Sequence, residues 1–246
     1  MNFQAVSVGE NLVEASVSTT GGYKDSVGTA SAALEDEIKF VDSSIGAMVD
    51  ALKAKGLIKT TTIIITAKHG QSPIDPKRVL RIPADDSSKA PPSAILGSSL
   101  VQALEDDVGM LWLKDHTPYG VSLALAALQN NAAKIGADGG EFYSGASLGL
   151  MFDVSHQDSR TPDIIVAPNV GVIYTGGKKK VAEHGGFAHD DTNVIMLVSN
   201  PSYSAHSINA IVQTAQVAPT ILSILGLNPQ ALIAVQNEGT TVLPGF

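Results

Sequence analysis

The sequence predicts an α/β fold in which a central, mostly parallel sheet is covered by helices on both faces. Residues 30–55 place apolar side chains at three- and four-residue steps, a spacing typical of an amphipathic helix. Residues 61–66 form a β-branched run of strand length. Further apolar runs alternate with helical patterns along the chain, and this alternation is characteristic of sheets that helices cover on both sides.

The remaining elements continue this pattern, and we expect one domain over residues 1–246. Gly56 suits the end of the long helix, and Pro118 suits the first turn of another. Residues 73–97 begin with a segment rich in Pro, Asp, Ser and Lys and are interpreted as a surface excursion. The other predicted elements are a helix over 98–105, a strand over 109–113, a helix over 118–133, a strand pair over 162–167 and 171–174, and a helix over 216–225.

Composition narrows the classes of partner and of metal site. The 246 residues carry a net charge of −8, which disfavours a nucleic-acid-binding patch or binding to anionic membranes. The one basic run, residues 178–180, is typical of a solvated loop. Because the chain has no cysteine, any metal ion must be held by His, Asp, Glu or hydroxyl ligands. No apolar run approaches the roughly 18 residues that span a bilayer, and no signal peptide is recognised.

Two His-Gly pairs next to apolar runs are the most informative feature of the sequence. Lys68-His69-Gly70 follows the run at 61–66, and Glu183-His184-Gly185-Gly186 precedes an apolar run at 193–199. Histidines at the ends of core strands, beside glycines that allow a close approach, indicate a metal or anion site. The alternative for each is a hydrogen-bonded loop histidine without a ligand.

These motifs carry a family resemblance that covers nearly the whole chain. Residues 41–70 resemble the alkaline phosphatase superfamily, and most closely its type I phosphodiesterase/nucleotide pyrophosphatase branch, in which a long helix leads into a strand that ends in Asp-His-Gly. Three further stretches fit the same order: Arg160-Thr161-Pro162-Asp163, Glu183-His184-Gly185-Gly186 and the helix that begins at Gln216.

The resemblance implies a metal-dependent hydrolase of phosphate esters that acts on a phosphorylated small-molecule substrate. It also implies two divalent cations, usually zinc, which stabilise the attacking and leaving oxygens together. The sulfatase and phosphomutase branches share the fold and are ranked lower, because the long helix before His69 is most similar to the diesterase branch. A secreted or periplasmic parent protein is compatible with the family.

Carried over residue by residue, the resemblance is partial. His69 and His184 match two histidine ligands of the metal site. Lys68 stands where the family has an aspartate ligand; its ammonium group cannot bind a cation and is expected to contact the substrate phosphate. Asp25 falls near the position of a third histidine ligand and is a candidate carboxylate ligand, with an exposed turn aspartate as the alternative.

The front of the family domain has no counterpart in the chain. The family's first metal-binding aspartate and its Ser or Thr nucleophile come from segments expected before residue 1, and Ser7, Ser16, Ser18, Thr19 and Thr20 do not fit the nucleophile's strand-to-helix context. We therefore expect the C-terminal part of a longer member, inactive by itself and prone to self-association through an exposed sheet edge. Whether Met1 is the native start stays open.

Two functions follow from these observations and remain in competition. The first is a metal-dependent phosphoesterase, or the C-terminal fragment of one. The second is a non-catalytic binding or structural member of the same fold, which Lys68 and the missing nucleophile favour. Near His184, the side chains of His189, Asp190 and Asp191 are candidates for orienting the imidazole, with an ordinary polar loop as the alternative. Asp153, His156, Asp158 and Arg160 are interpreted as a structural loop.

Overall fold

The computed structural model describes residues 1–11, 13–14, 19–83, 88–150, 152, 158–176 and 180–246. Ser16, Ser18, Asp153, His156 and two of the three lysines at 178–180 lie outside these residues. The described part is a mixed α/β structure of two compact units. Unit 1 comprises Met1–Gly46 and His69–Asn193, and unit 2 comprises Ala47–Lys68 and Val194–Phe246.

Seven α-helices and ten strands are present among the described residues. The helices are α1 (Ala5–Asn11), α2 (Ala32–Ala54), α3 (Pro92–Leu96), α4 (Pro118–Asn130), α5 (His189–Thr192), α6 (Val217–Ile224) and α7 (Ile233–Glu238). The strands are β1 (Val13–Glu14), β2 (Thr19–Thr20), β3 (Ile63–Thr66), β4 (Leu80–Ile82), β5 (Leu100–Glu105), β6 (Gly109–Leu113), β7 (Glu141–Ser144), β8 (Ile164–Ala167), β9 (Val172–Tyr174) and β10 (Met196–Ser199).

A four-stranded antiparallel sheet of order β5-β6-β8-β7 forms the centre of unit 1. Because side chains alternate between the faces of a strand, Leu111 and Leu113 of β6 lie on one face and Met110 on the other. The first face packs with Ala124 and Leu128 of α4 in the largest buried cluster, and the second packs around Val108, Leu148 and Ile165. The core of unit 1 therefore lies on both faces of this sheet.

Helix α4 begins where its sequence predicts. The side chain of Thr117 accepts a hydrogen bond from the backbone N–H of Gly120, and Pro118 occupies the first helical position, where no backbone donor is needed. The segment at 73–97 contains β4 and α3 as well as loops. Ile82 and Leu96 are buried, so the segment contributes to the core as well as to the surface.

Two predictions about strands are corrected by the structure. Residues 98–105 were expected to be helical, but they form a short 3-10 turn followed by β5, which pairs with β6. Strands β8 and β9 occur where a strand pair was predicted, yet they do not pair with each other. Strand β8 lies between β6 and β7, whereas β9 pairs in parallel with β4 around buried Ile82, Val172 and Tyr174.

The described strands do not form the mostly parallel central sheet that the sequence predicts. Among those residues, β4 and β9 make the one parallel pair, and the other five pairs of named strands are antiparallel. The physical reason is local in unit 1: β5 and β6 are joined by the short turn at 106–108, and such a turn permits only an antiparallel pair.

Unit 2 contains β3, β10 and the C-terminal helices. Strand β3 pairs with β10 in antiparallel register, with Ile65 opposite Leu197. A short 3-10 turn before α6 carries a reciprocal cap between Gln213 and Gln216, which satisfies backbone donors at the start of the helix. Buried Thr220 of α6 accepts a hydrogen bond from the backbone of Leu243 and so fastens the C-terminal segment to α6.

Candidate metal centre

His69 and His184 lie side by side in unit 1. Their ring centroids are 4.0 Å apart and the ring planes meet at 30°. The two segments that carry them are joined by an antiparallel bridge, in which Ser72 and Glu183 exchange two backbone hydrogen bonds of 2.9 Å. The structure therefore brings together the two histidines that the sequence singled out.

A second backbone contact also holds the segment of His69 in place. The backbone N–H of Gly70 donates to the carbonyl of Asp191 over 2.6 Å. A Cβ atom at residue 70 would lie only 2.0 Å from the carbonyl oxygen of Asp190, so this approach requires glycine. Glycine is therefore needed after His69, because a residue with a Cβ atom would push the two segments apart.

The hydrogen bonding of His69 determines which ring nitrogen can bind a ligand. Its Nδ1 lies 2.7 Å from the carbonyl oxygen of Gly70, and because a carbonyl only accepts, Nδ1 must carry the proton. In the neutral ring Nε2 then holds a lone pair. Nε2 is buried and has no hydrogen-bond partner among the described residues. A buried imidazole nitrogen with a free lone pair suits a metal ion or a hydrogen-bond donor of a ligand.

Asp191 is the carboxylate whose electrostatic influence reaches His184. The charge of His184 lowers the pKa of Asp191, although burial is the largest effect and leaves that pKa above its ordinary value. His189 is exposed at the start of α5, and Asp190 accepts a hydrogen bond from the backbone N–H of Ile74. An orienting role of these side chains for His184 stays a prediction.

A polar cluster on α1 and the following loop faces the segment of His69 and was not predicted from the sequence. The side chain of Gln71 donates to the hydroxyl of Ser7 over 2.6 Å, and the hydroxyl of Tyr23 donates to Glu10 over 2.8 Å. Burial raises the pKa of Glu10, and the hydrogen bond from Tyr23 opposes that rise. Ser7 and Glu10 are three residues apart on α1 and so share one helix face.

The other predicted site residues have different surroundings. Asp25 is half-buried, and its Oδ1 accepts hydrogen bonds from the backbone N–H groups of Val27 and Thr29. These bonds, with the contribution of Thr29 the largest, lower the pKa of Asp25 and are typical of a turn aspartate. Lys68 is exposed. Its expected contact with a substrate phosphate and the metal-ligand role of Asp25 both stay predictions.

The fit of a metal ion to these side chains is incomplete. The Nε2 atom of His69 has the protonation state and burial of an imidazole ligand. In the part of the chain that the structure describes, no three His, Cys, Asp or Glu side chains are grouped so that they could hold a metal ion. Any complete coordination shell around His69 therefore needs ligands beyond those that surround it here.

A separate cavity of about 890 Å³ lies elsewhere in unit 1. It is lined by Trp112 of β6, by the first turns of α4 and by residues 158–163. The Nδ1 atom of His116 lies 3.0 Å from both carboxylate oxygens of Asp163, and Arg160 makes an ion pair with Asp158. The acidic groups of this cavity are thus paired within the protein.

In the described residues no helix is long and apolar enough to cross a membrane.

The chain is similar to known proteins in both sequence and fold. The sequence profile of the type I phosphodiesterase/nucleotide pyrophosphatase family matches residues 10–191. No curated protein sequence matches the chain. The human ectonucleotide pyrophosphatase/phosphodiesterase 5 structure superposes with a TM-score of 0.56 at 16% identity, covering 78% of this chain and 47% of its own.

A murine structure of the same protein, an inactive variant in complex with AMP, superposes with a TM-score of 0.57 at 16% identity. That match covers 81% of this chain and 50% of the murine chain, so our chain spans about half the length of these relatives. The structural matches support the fold, and the profile covers most of the sequence. The chain therefore belongs to the type I phosphodiesterase/nucleotide pyrophosphatase family, a branch of the alkaline phosphatase superfamily.

Proposed function

We propose that this chain contributes the histidine part of a metal-dependent phosphodiesterase or phosphatase site. His69 supplies an imidazole ligand through Nε2, and His184 supplies a second one. The observation that carries this proposal is the buried lone pair of His69 Nε2, which faces no protein donor among the described residues while Nδ1 is held by Gly70. Zinc is the expected metal, because imidazole nitrogen is among its preferred ligands.

A bound divalent cation would neutralise charge on the phosphate oxygens and lower the pKa of a coordinated hydroxyl group. The protein side chains have separate tasks in the proposal. His69 and His184 bind the metal, Lys68 contacts the phosphate, and Asp25 is retained as a weaker candidate ligand because its carboxylate already accepts two backbone hydrogen bonds. The murine relative binds AMP, so a phosphorylated nucleotide is the first substrate class to test.

The proposal assigns turnover to a protein longer than these 246 residues. The matches cover only 47% and 50% of two relatives' chains, and the described residues do not complete a metal site. We propose that the nucleophilic Ser or Thr and the remaining carboxylate ligands come from a segment that precedes the chain in the complete domain. The mostly parallel sheet expected from the family would also be completed there.

A non-catalytic role is the second candidate, and two observations favour it. Lys68 occupies the place of a family aspartate, and the described residues contain no group of three metal ligands. A protein of this kind would bind a phosphorylated ligand through Lys68 and the histidines without hydrolysing it. The two candidates differ in whether His69 binds a metal ion.

Titration of the metal-free chain with Co²⁺ and Zn²⁺ tests the proposal directly. Imidazole coordination gives Co²⁺ characteristic visible absorption, and calorimetry gives the affinity for Zn²⁺. We expect His69→Ala and His184→Ala each to weaken binding at least tenfold, in the range found when outer partners of metal ligands are removed. His206→Ala is the matched control, because His206 is an exposed histidine of unit 2. Equal affinity in wild type and His69→Ala would reject the metal-site proposal.

A further inference from the structure

Unit 1 contains a second polar cluster that the proposed hydrolase site does not use. Asp107, Asp191 and Ser72 are 6%, 3% and 5% exposed. The hydroxyl oxygen of Ser72 lies 3.1 Å from Oδ2 of Asp107 and 2.9 Å from Oδ2 of Asp191. Two carboxyl groups from distant parts of the sequence therefore meet at one serine inside the protein. We call these three residues the Ser72 cluster.

The hydrogen bonding inside the Ser72 cluster is not complete. A serine hydroxyl has a single proton, so it can donate to only one of the two carboxyl groups at a time. The second oxygens, Oδ1 of Asp107 and Oδ1 of Asp191, are buried and have no hydrogen-bond partner among the described residues. Buried polar atoms of native proteins nearly always have a partner, and unpaired buried carboxylates are especially costly.

The electrostatics indicate that negative charge in the cluster is poorly compensated. Burial, followed by the negative charge of Asp191, raises the pKa of Asp107 to about 9. Burial likewise raises the pKa of Asp191, and hydrogen bonds from Ser72 and Asp107, followed by the charge of His184, oppose that rise without cancelling it. A positively charged partner between the two carboxylates would remove both the repulsion and the unpaired oxygens.

We propose that Asp107, Asp191 and Ser72 bind a hard divalent cation of the Mg²⁺ and Ca²⁺ class in a structural site separate from the two histidines. The donor atoms are all oxygens, which Mg²⁺ and Ca²⁺ prefer, whereas zinc in proteins favours nitrogen and sulfur. One doubly charged ion balances two carboxylates. Mg²⁺ in particular is commonly held by one or two carboxylates, so the absence of a third acidic ligand among the described residues is compatible with it.

The position of the cluster gives this cation a role in the fold. Ser72 follows the segment of His69, Asp191 lies on α5 after His184, and Asp107 lies in the turn between β5 and β6. A cation at this point joins three segments and holds the His69 segment against the His184 segment. Gly186 also packs here, because a Cβ atom at that position would lie 2.4 Å from Oδ2 of Asp191.

Thermal unfolding of the 246-residue chain tests this assignment. After chelation, we expect saturating Mg²⁺ or Ca²⁺, at about 100 times its dissociation constant, to raise Tm by roughly 5–10 °C. The comparison of the two ions shows which of them the site prefers. Asp107→Asn and Asp191→Asn should each abolish the increase, whereas Asp42→Asn, which changes an exposed aspartate of α2, should keep it.

His69→Ala separates this proposal from the proposed hydrolase function. It should remove zinc binding and retain the response to Mg²⁺ or Ca²⁺, because His69 is not a member of the cluster. A wild-type protein that does not respond to either ion would overturn the assignment, as would an equal response in Asp107→Asn. The first result would mean that the two carboxyl groups share a proton instead of a cation, and the second that the ion binds elsewhere on the protein.

A spectroscopic measurement on wild type keeps the test valid if the variants fail to fold. Mn²⁺ is a paramagnetic substitute for Mg²⁺, and the electron spin echo of bound Mn²⁺ detects nitrogen atoms in its coordination shell. The oxygen ligands of the cluster predict one bound Mn²⁺ per chain without coupling to a directly bound ¹⁴N nucleus. Strong ¹⁴N coupling would place the ion at the histidines and refute a separate oxygen site.

Discussion

Replacement of Gly70 by alanine probes the closeness of the two histidine segments. The backbone of Gly70 donates to Asp191, and the carbonyl oxygen of Asp190 lies 2.0 Å from the place where a Cβ atom would be. Carbon and oxygen atoms do not approach so closely without a bond. In Gly70→Ala the backbone at Asp190 must therefore move by about an ångström, and the segment of His69 must separate from that of His184.

The expected loss of stability has two parts. Forced insertion of a methyl group into a closely packed site costs about 1–3 kcal/mol. Weakening the hydrogen bond between Gly70 and Asp191 adds about 0.5–1.5 kcal/mol. We therefore expect Gly70→Ala to lower the free energy of unfolding by about 1.5–4.5 kcal/mol, as the sum of these ranges. We also expect weaker zinc binding, because the imidazole of His69 moves with its backbone.

Urea denaturation followed by tryptophan fluorescence measures this loss in unit 1. Trp112 is the only tryptophan and lies on β6 in the central sheet of that unit. Gly46→Ala is the matched control: Gly46 lies inside α2, has no positive φ, and has open space where a Cβ atom would stand. Alanine should stabilise that helix by about 0.5–1 kcal/mol. A Gly70→Ala protein as stable as wild type would refute the close contact between residues 70 and 190.

Three further predictions concern activity, association and pH. With zinc, the purified chain should hydrolyse bis-p-nitrophenyl phosphate very weakly or not at all, and robust turnover that His69→Ala abolishes would contradict us. Light scattering over a concentration series should show self-association through the β3–β10 sheet of unit 2, reduced by Leu197→Lys at an exposed strand position; a monodisperse wild-type monomer would exclude it. With a chelator present, the free energy of unfolding should fall as pH rises from about 4 towards 9. The reason is that Asp107 keeps its proton in the folded protein up to a pKa of about 9, whereas the unfolded chain releases it near the ordinary value of 3.8. Urea titrations at each pH measure this dependence, and Asp107→Asn should flatten it.

Local patterns in the sequence were sufficient for several helices, several strands and the two central histidines. Pro118 and the residues after it give α4 a recognisable start, and the β-branched residues of β3 identify a strand. The pairs His69-Gly70 and His184-Gly185 could be found because each lies beside an apolar run. Each of these signals is contained in a few consecutive residues, so it does not depend on which segments pack together.

Pairing between strands could not be predicted in the same way. Residues 98–105 contain good helix formers such as Leu100, Ala103 and Glu105, and a helix was therefore expected. The structure forms β5 instead because this segment pairs with β6 and covers the core face of the sheet. A propensity difference of less than about 1 kcal/mol per residue is small beside such packing.

The Ser72 cluster could not be predicted from the sequence for a related reason. Ser72 is 35 residues from Asp107 and 119 residues from Asp191, and the three residues share no motif. Only the folded arrangement shows that two buried carboxyl groups meet at a single hydroxyl. Ser7 and Glu10 were missed similarly, because nothing in α1 indicates that it faces Gln71 or Tyr23.

The chemistry of the two proposed sites explains why they can lie close together without competing for one ion. The free donor at His69 is an imidazole nitrogen, whereas the Ser72 cluster offers only oxygens. Zinc is drawn to the first kind of donor, and Mg²⁺ or Ca²⁺ to the second. The two sites are connected through the backbone, because Gly70 is hydrogen-bonded to Asp191 and Ser72 is hydrogen-bonded to Glu183. Neutralising Asp107 and Asp191 therefore stabilises the backbone contacts that keep His69 beside His184, even though neither carboxylate needs to bind the zinc ion.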